Sequence, residues 1–203
     1  QRLRTLSAMV EADGKAPIIV ASTVAVTQKT LVRDAFLSNV QTLHKNQRIA
    51  LDDLLDQWRR MGYQFDLAVH APGFASRRGG ILDIYSVDSP LPARIELLGN
   101  QIDSIRLFDL DTQRSRGMVD SVTVVSAQET LPELTDRSHL DSQMASIDLT
   151  NCTEVSRERI KEEFNLLLEG QEVEDLSFYS GFFNRGSLLD YFSEDGLLVM
   201  YRP

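Results

Sequence analysis

Ala93-Arg-Ile-Glu-Leu-Leu-Gly-Asn-Gln-Ile-Asp-Ser-Ile-Arg-Leu-Phe108 decides how the middle of this chain is built. Two runs, Ala93–Leu97 and Ile102–Phe108, alternate apolar with polar residues on either side of Gly99-Asn100. Alternation with period two is the mark of a strand with one face buried, and a glycine-containing pair between two such runs marks a hairpin. Working outward, Ile81-Leu-Asp-Ile-Tyr85 and Ser121-Val-Thr-Val-Val125 add further strands, and little helical periodicity intervenes between Tyr63 and Ser126. A helix over 51–61, LDDLLDQWRRM, precedes them and is closed by Gly62. The expectation for residues 49–126 is a mostly antiparallel β-rich domain.

The ends of the chain read differently. Leu3, Leu6, Met9 and Val10 recur at helical spacing and Asp13-Gly14 supplies a stop, so residues 2–12 predict an amphipathic helix. Pro17-Ile-Ile-Val-Ala21 is a short apolar run of the kind found in strands buried on both faces, after which Ser22 or Thr23 can cap a helix to about Leu31. Beyond Glu129 a helix is predicted over 153–168, with Val155, Ile160, Phe164 and Leu167/Leu168 on one stripe and Gly170 as its stop. Ser187–Phe192 then leads to Gly196-Leu-Leu-Val-Met-Tyr201, a second buried-strand candidate. The pattern is α/β, then β-rich, then α/β. One α/β domain, residues 1–48 and 127–203, interrupted by the β unit accounts for it better than three independent domains.

Composition narrows the function. The 203 residues include 42% hydrophobic residues, enough for a substantial core, and no apolar run approaches the ~18 residues of a membrane span. A soluble, cytoplasmic protein without a signal sequence is expected. The net charge of −9 is uneven, with a basic segment before residue 49 and most of the acid after residue 125. Such a field opposes strong non-specific nucleic-acid binding. Cys152 is the only cysteine, which excludes an internal disulfide and leaves a structural thiol. His44, His70 and His139 match no metal-ligand spacing.

Catalytic signatures are missing from the sequence. Gly14-Lys15 is followed by Ala16-Pro17, with neither the upstream glycine nor the hydroxyl residue of a phosphate-binding loop. The paired carboxylates Asp52-Asp53, Glu162-Glu163 and Glu174-Asp175 sit in polar contexts that solvation and helix N-terminal charge explain. Asp83 interrupts an apolar strand and is expected to be an outward polar position or an anchor for the Arg-Gly-Gly turn. No catalytic residue, metal ligand or cofactor-binding residue is expected.

Phe74-Ala-Ser-Arg-Arg-Gly-Gly-Ile-Leu-Asp-Ile-Tyr85 supplies the most specific pattern. Arginine carries a rigid fork of donors suited to carboxylates, and Gly79-Gly80 permits the tight turn that lets such groups project from a strand end. Gly62-Tyr63, Pro72-Gly73, Arg78–Tyr85, Ala93–Glu96, Ile102–Arg106, Phe108-Asp109 and Thr112–Ser115 follow in an order that closely resembles the bacterial transcription-repair coupling factor family (Mfd), in its region related to the helicase subunit UvrB. The opening QRLRTLSAMV and the late SLLDYFSEDGLLVM agree with that family, so the resemblance spans nearly the whole chain. UvrB is the nearest rival, but its phosphate-binding loop and tyrosine-rich hairpin are not visible here.

The resemblance implies a partial, degenerate RecA-like (helicase-type) α/β domain without a nucleotide, interrupted by a β-rich domain that binds UvrA. It implies that the ATP- and magnesium-dependent motor, and the parts that engage RNA polymerase and DNA, lie outside this chain. The arginine before Gly-Gly contributes to the UvrA contact in the family, which maps onto Arg78. Basic residues found elsewhere in relatives are replaced by Gln64 and Ser76, and Arg77 is placed to compensate. Gly79, Gly80, Asp83, Arg94 and Glu96 complete the motif. At the C-terminus, Tyr201-Arg202-Pro203 stands where relatives carry an acidic dipeptide before proline. The leading expectation is a non-catalytic module recruiting UvrA in nucleotide excision repair. The alternative is a DNA-contacting accessory domain of a UvrB-like helicase, motivated by the basic N-terminal segment.

Overall fold

A computed structural model describes residues 2–10, 17–131, 137–169, 171, 173, 174, 176, 178–193 and 195–201. The chain opens with helices α1 (Arg2–Val10), α2 (Thr23–Thr27) and α3 (Arg33–Ser38). Strand β1 (Gln41–His44) and helix α4 (Leu51–Arg60) follow. Seven strands come next: β2 (Gln64–Phe65), β3 (Phe74–Arg78), β4 (Ile81–Ile84), β5 (Ala93–Leu98), β6 (Gln101–Phe108), β7 (Ser115–Met118) and β8 (Ser121–Val124). Helices α5 (Arg137–Ala145), α6 (Glu154–Leu168) and α7 (Ser180–Phe183) and a 3-10 turn at Leu188–Tyr191 close the described chain.

The β unit is a six-stranded sheet in the order β2-β3-β4-β5-β6-β7 beside a two-stranded ribbon of β1 and β8. Only the β2–β3 pair is parallel. The fold is thus α/β with mixed, mostly antiparallel sheets. Cross-strand partners share a face, so the register places Ala75 with Ile84 and Ala93, and Leu82 with Ile95 and Ile105, on one side. Helix α4 lies in the same core, burying Leu54, Leu55 and Trp58, while Leu43 and Val124 bring in the ribbon. Asp52 and Asp53 occupy the first turn of α4 and Arg59 and Arg60 its last, each charge favourable to the helix dipole. The first carboxylate pair thus has the helix N-terminal placement expected of it.

The segments before and after the β unit pack against each other. Thr30 and Gly186 exchange both backbone hydrogen bonds at 3.0 Å, and the Tyr191 hydroxyl donates to Leu31 O. Phe36 meets Tyr191 edge to face within a cluster that also holds Leu6, Val125 and Leu188. A Cβ on Gly186 would stand 2.8 Å from Leu31 O, so only glycine permits this approach. A third cluster gathers Leu140, Phe164, Leu167 and Tyr179 from the C-terminal segment.

Several expectations meet a different outcome. Helix α2 starts as anticipated, with the Ser22 hydroxyl accepting from Ala25 N, but ends at Thr27, ahead of the Thr30–Gly186 bridge. Thr153 caps α6 by accepting from Ser156 N, yet Val155 is exposed, and the stripe is buried only from its middle onward. Neither expected buried strand forms: Ile18 and Val20 are 97% and 96% exposed, and Leu197, Val199, Met200 and Tyr201 are exposed as well. A strand covered on both faces needs hydrogen-bonding neighbours and two overlying layers, and the described residues provide neither. Accordingly the outer segments form no helicase-type parallel sheet among the described residues. The stops at Asp13-Gly14 and Gly170, the terminal Arg202-Pro203 and the side chain of His139 lie outside the described residues.

Candidate functional site: the polar face of the six-stranded sheet

The face of the sheet opposite α4 is a ladder of charge. Ser76, Asp83, Arg94 and Arg106 are successive cross-strand partners on β3, β4, β5 and β6, and Arg78, Ile81, Glu96 and Ser104 form the adjacent row. Asp83 is the hub, with only 2% of its side chain exposed. Arg94 grips both of its oxygens, donating from Nε at 2.6 Å and Nη2 at 2.7 Å, while Arg78 donates from Nη2 at 2.9 Å. The hydrogen bond to Asp83 raises the Arg94 pKa above its ordinary value. Arg94 also lies 4.7 Å from the Phe108 ring centroid and donates to Gln113 Oε1. In the next row Glu96 accepts from Ser104 and Arg106.

Beside the charges lies an aromatic edge. His70 packs against Phe74 with centroids 4.0 Å apart and ring planes tilted by 45°, and the Tyr85 backbone amide donates to Phe74 O. Tyr85 anchors the chain leaving β4 by donating from its hydroxyl to Pro90 O. Gly79-Gly80 joins β3 to β4 in two residues, with φ +62° at Gly79, a left-handed conformation that side-chain-bearing residues resist. Gly80 hydrogen-bonds to Leu97 N through its carbonyl, holding the hairpin tip on β5. Arg78 is therefore presented on a braced turn, and 52% of its side chain is exposed.

Residues 42–129, which take in α4 and the whole six-stranded sheet, match the UvrB interaction domain family. This segment is similar to that family. Across 98% of its length it is also similar to proteins named transcription-repair-coupling factor, at 32% identity to that of Bacillus subtilis, 31% to that of Staphylococcus haemolyticus and 30% to that of Staphylococcus epidermidis. The chain spans 18% of the length of each of these relatives. The family resemblance drawn from the ordered motifs is thereby shown.

Within the UvrB interaction domain the anticipated residues separate into three groups. Arg78, Asp83, Arg94 and Glu96 converge on the polar face, with Gln64 exposed on β2 beside Phe74. Ser76 shares the face but is buried beneath it, its hydroxyl without a hydrogen-bond partner, so it offers no surface contact in this arrangement. Arg77 points to the other face, 3.7 Å from Asp52 of α4, and so lies on the opposite side of the sheet from Arg78. The sequence assigned no site role to the aromatic edge or to Arg106, and only the register around Arg94 brings Arg106 onto this face. Among the described residues, no three His, Cys, Asp or Glu side chains gather to hold a metal ion, and no helix is long and apolar enough to cross a membrane.

Proposed function

We propose that this chain is a non-catalytic recruitment module of a transcription-repair coupling factor, and that the polar face of its interaction domain docks UvrA. The observation that carries the reading is Arg78: an arginine half exposed at a braced hairpin tip, on the same face as Gln64 and Glu96, in a domain of the UvrB interaction family. Arginines so placed are over-represented among residues that dominate interface energies. In this reading the chain uses no cofactor of its own. The ATP- and magnesium-driven motor, and the parts that engage RNA polymerase and DNA, belong to the rest of the bacterial, cytoplasmic protein. Once RNA polymerase has been displaced from a lesion, the module delivers the excision machinery.

The flanking segments fit one interrupted α/β domain, 1–48 with 127–203, around a β-rich unit at 49–126. Support comes from the Thr30–Gly186 bridge, which ties the two flanks together, and from the exposed apolar runs at 18–20 and 197–201, whose composition suits strands of a larger degenerate helicase-type sheet. Calorimetric titration of the chain with UvrA tests the docking role. Wild type should bind, Arg77→Ala should bind like wild type, and Arg78→Ala should lose about tenfold or more in affinity, the scale of an interface hot spot. Undiminished binding by Arg78→Ala would sink the role assigned to that residue.

A further inference from the structure

The Arg78 side chain is held before any partner arrives, by a carboxylate that is itself immobilised. We propose that Asp83, clamped by Arg94, is a positioning residue that pre-orients the Arg78 guanidinium toward a carboxylate on UvrA. This inference rests on the docking role given to Arg78 above. Both Asp83 oxygens are engaged by the Arg94 fork, and Arg94 is in turn fixed by the Phe108 ring and Gln113. Arg94 alone neutralises Asp83 in an ideal bidentate geometry. The further bond from Arg78 is thus surplus to the demands of burying the carboxylate, and as a half-exposed ion pair it contributes little to folding.

What the bond does accomplish is restriction. A free arginine loses rotamer freedom when a partner immobilises it, and a side chain already held in its docking geometry loses less. Arg78 is attached through one terminal nitrogen, which leaves the rest of the fork able to meet a second carboxylate. The charge balance agrees: Asp83 with Arg78 and Arg94 keeps one excess positive charge, whereas Glu96 with Arg106 is neutral. An acidic group on the partner is the chemistry that complements this spot.

A double-mutant cycle on UvrA binding separates positioning from support. Asp83→Asn keeps the volume and one acceptor for Arg94, and should weaken binding by about three- to tenfold, the scale of one immobilised long side chain. In the Arg78→Ala background the same change should have no further effect, because its action passes through Arg78. Equal losses in both backgrounds would mean that Asp83 merely supports the sheet, and tighter binding by Asp83→Asn would mean that it competes with the partner; either overturns the proposal. Failure of wild type to bind would instead overturn the docking reading along with it. Side-chain NMR of the wild-type chain gives a readout independent of variant folding: slowly exchanging, separated Nη signals for Arg78 are expected, and freely averaged ones would refute the hold.

Discussion

Arg77 and Arg78 are neighbours in the chain whose side chains leave β3 on opposite faces, because successive strand residues alternate. Read along the sequence they form one basic spot; in space one faces α4 and the other the charge ladder. The glycines and the exposed arginine of this motif were legible, since turn chemistry is local. Asp83 was legible as an acid inside an apolar strand and an anchor for the Arg-Gly-Gly turn, the role its bond to Arg78 fits, but its clamp was not. Its partner Arg94 lies eleven residues away and meets it only when β4 pairs with β5. Another acid illustrates what local geometry does to a charge. Asp109 accepts from Arg116, and from the Thr112 amide and hydroxyl, which together hold its carboxyl well below the usual carboxylate range. A depressed folded-state value means that its contribution is present above the ordinary carboxylate pKa near about 4 and is lost as pH falls through the folded value. NMR titration of the Asp109 carboxyl should find a midpoint below about 3.9, and a midpoint at or above that would remove the clasp on the 109–116 loop.

At the scale of elements, α4 shows how an amphipathic stripe becomes a core. Trp58 is fully buried against the sheet, and its indole Nε1 donates to Gln41 Oε1 in β1, so one side chain joins helix, sheet and ribbon. Trp58→Ala should destabilise the chain by about 3–5 kcal/mol, read as a shift in the denaturant midpoint followed by circular dichroism. An effect near zero would mean that the core is not assembled through α4. The hairpin of β5 and β6 was plain in the sequence, but its register was not. Leu98 faces Gln101 and Leu97 faces Ile102, after which a bulge makes Glu96 face Ser104 and skips Asp103. Counting outward from Gly99-Asn100 without that bulge sets Arg94 opposite Ile105. The actual register sets it opposite Arg106 and completes the charged face.

For the whole molecule, the joint between the flanking segments is the testable feature. Gly186→Ala would drive a Cβ against Leu31 O and the Val32 backbone, and overpacking of this kind costs about 1–3 kcal/mol. Hydrogen exchange should accelerate at the Thr30 amide, which donates to Gly186 O, while the amides of β4 to β6 remain protected. Faster exchange throughout the sheet would show instead that the flanks and the interaction domain unfold as one unit. The amino-acid sequence by itself determined strands β4, β5, β6 and β8, the helix α4, the two glycine turns, the family resemblance and the two apolar runs that call for burial, because each is written in periodicity, turn residues or ordered motifs within a few positions. Only the tertiary structure decided which arginine joins the charged face, which acid holds it, and that the runs at 18–20 and 197–201 are exposed. Those outcomes depend on register and on neighbours distant in the chain, and a pattern of residues records a demand for partners without saying where they are.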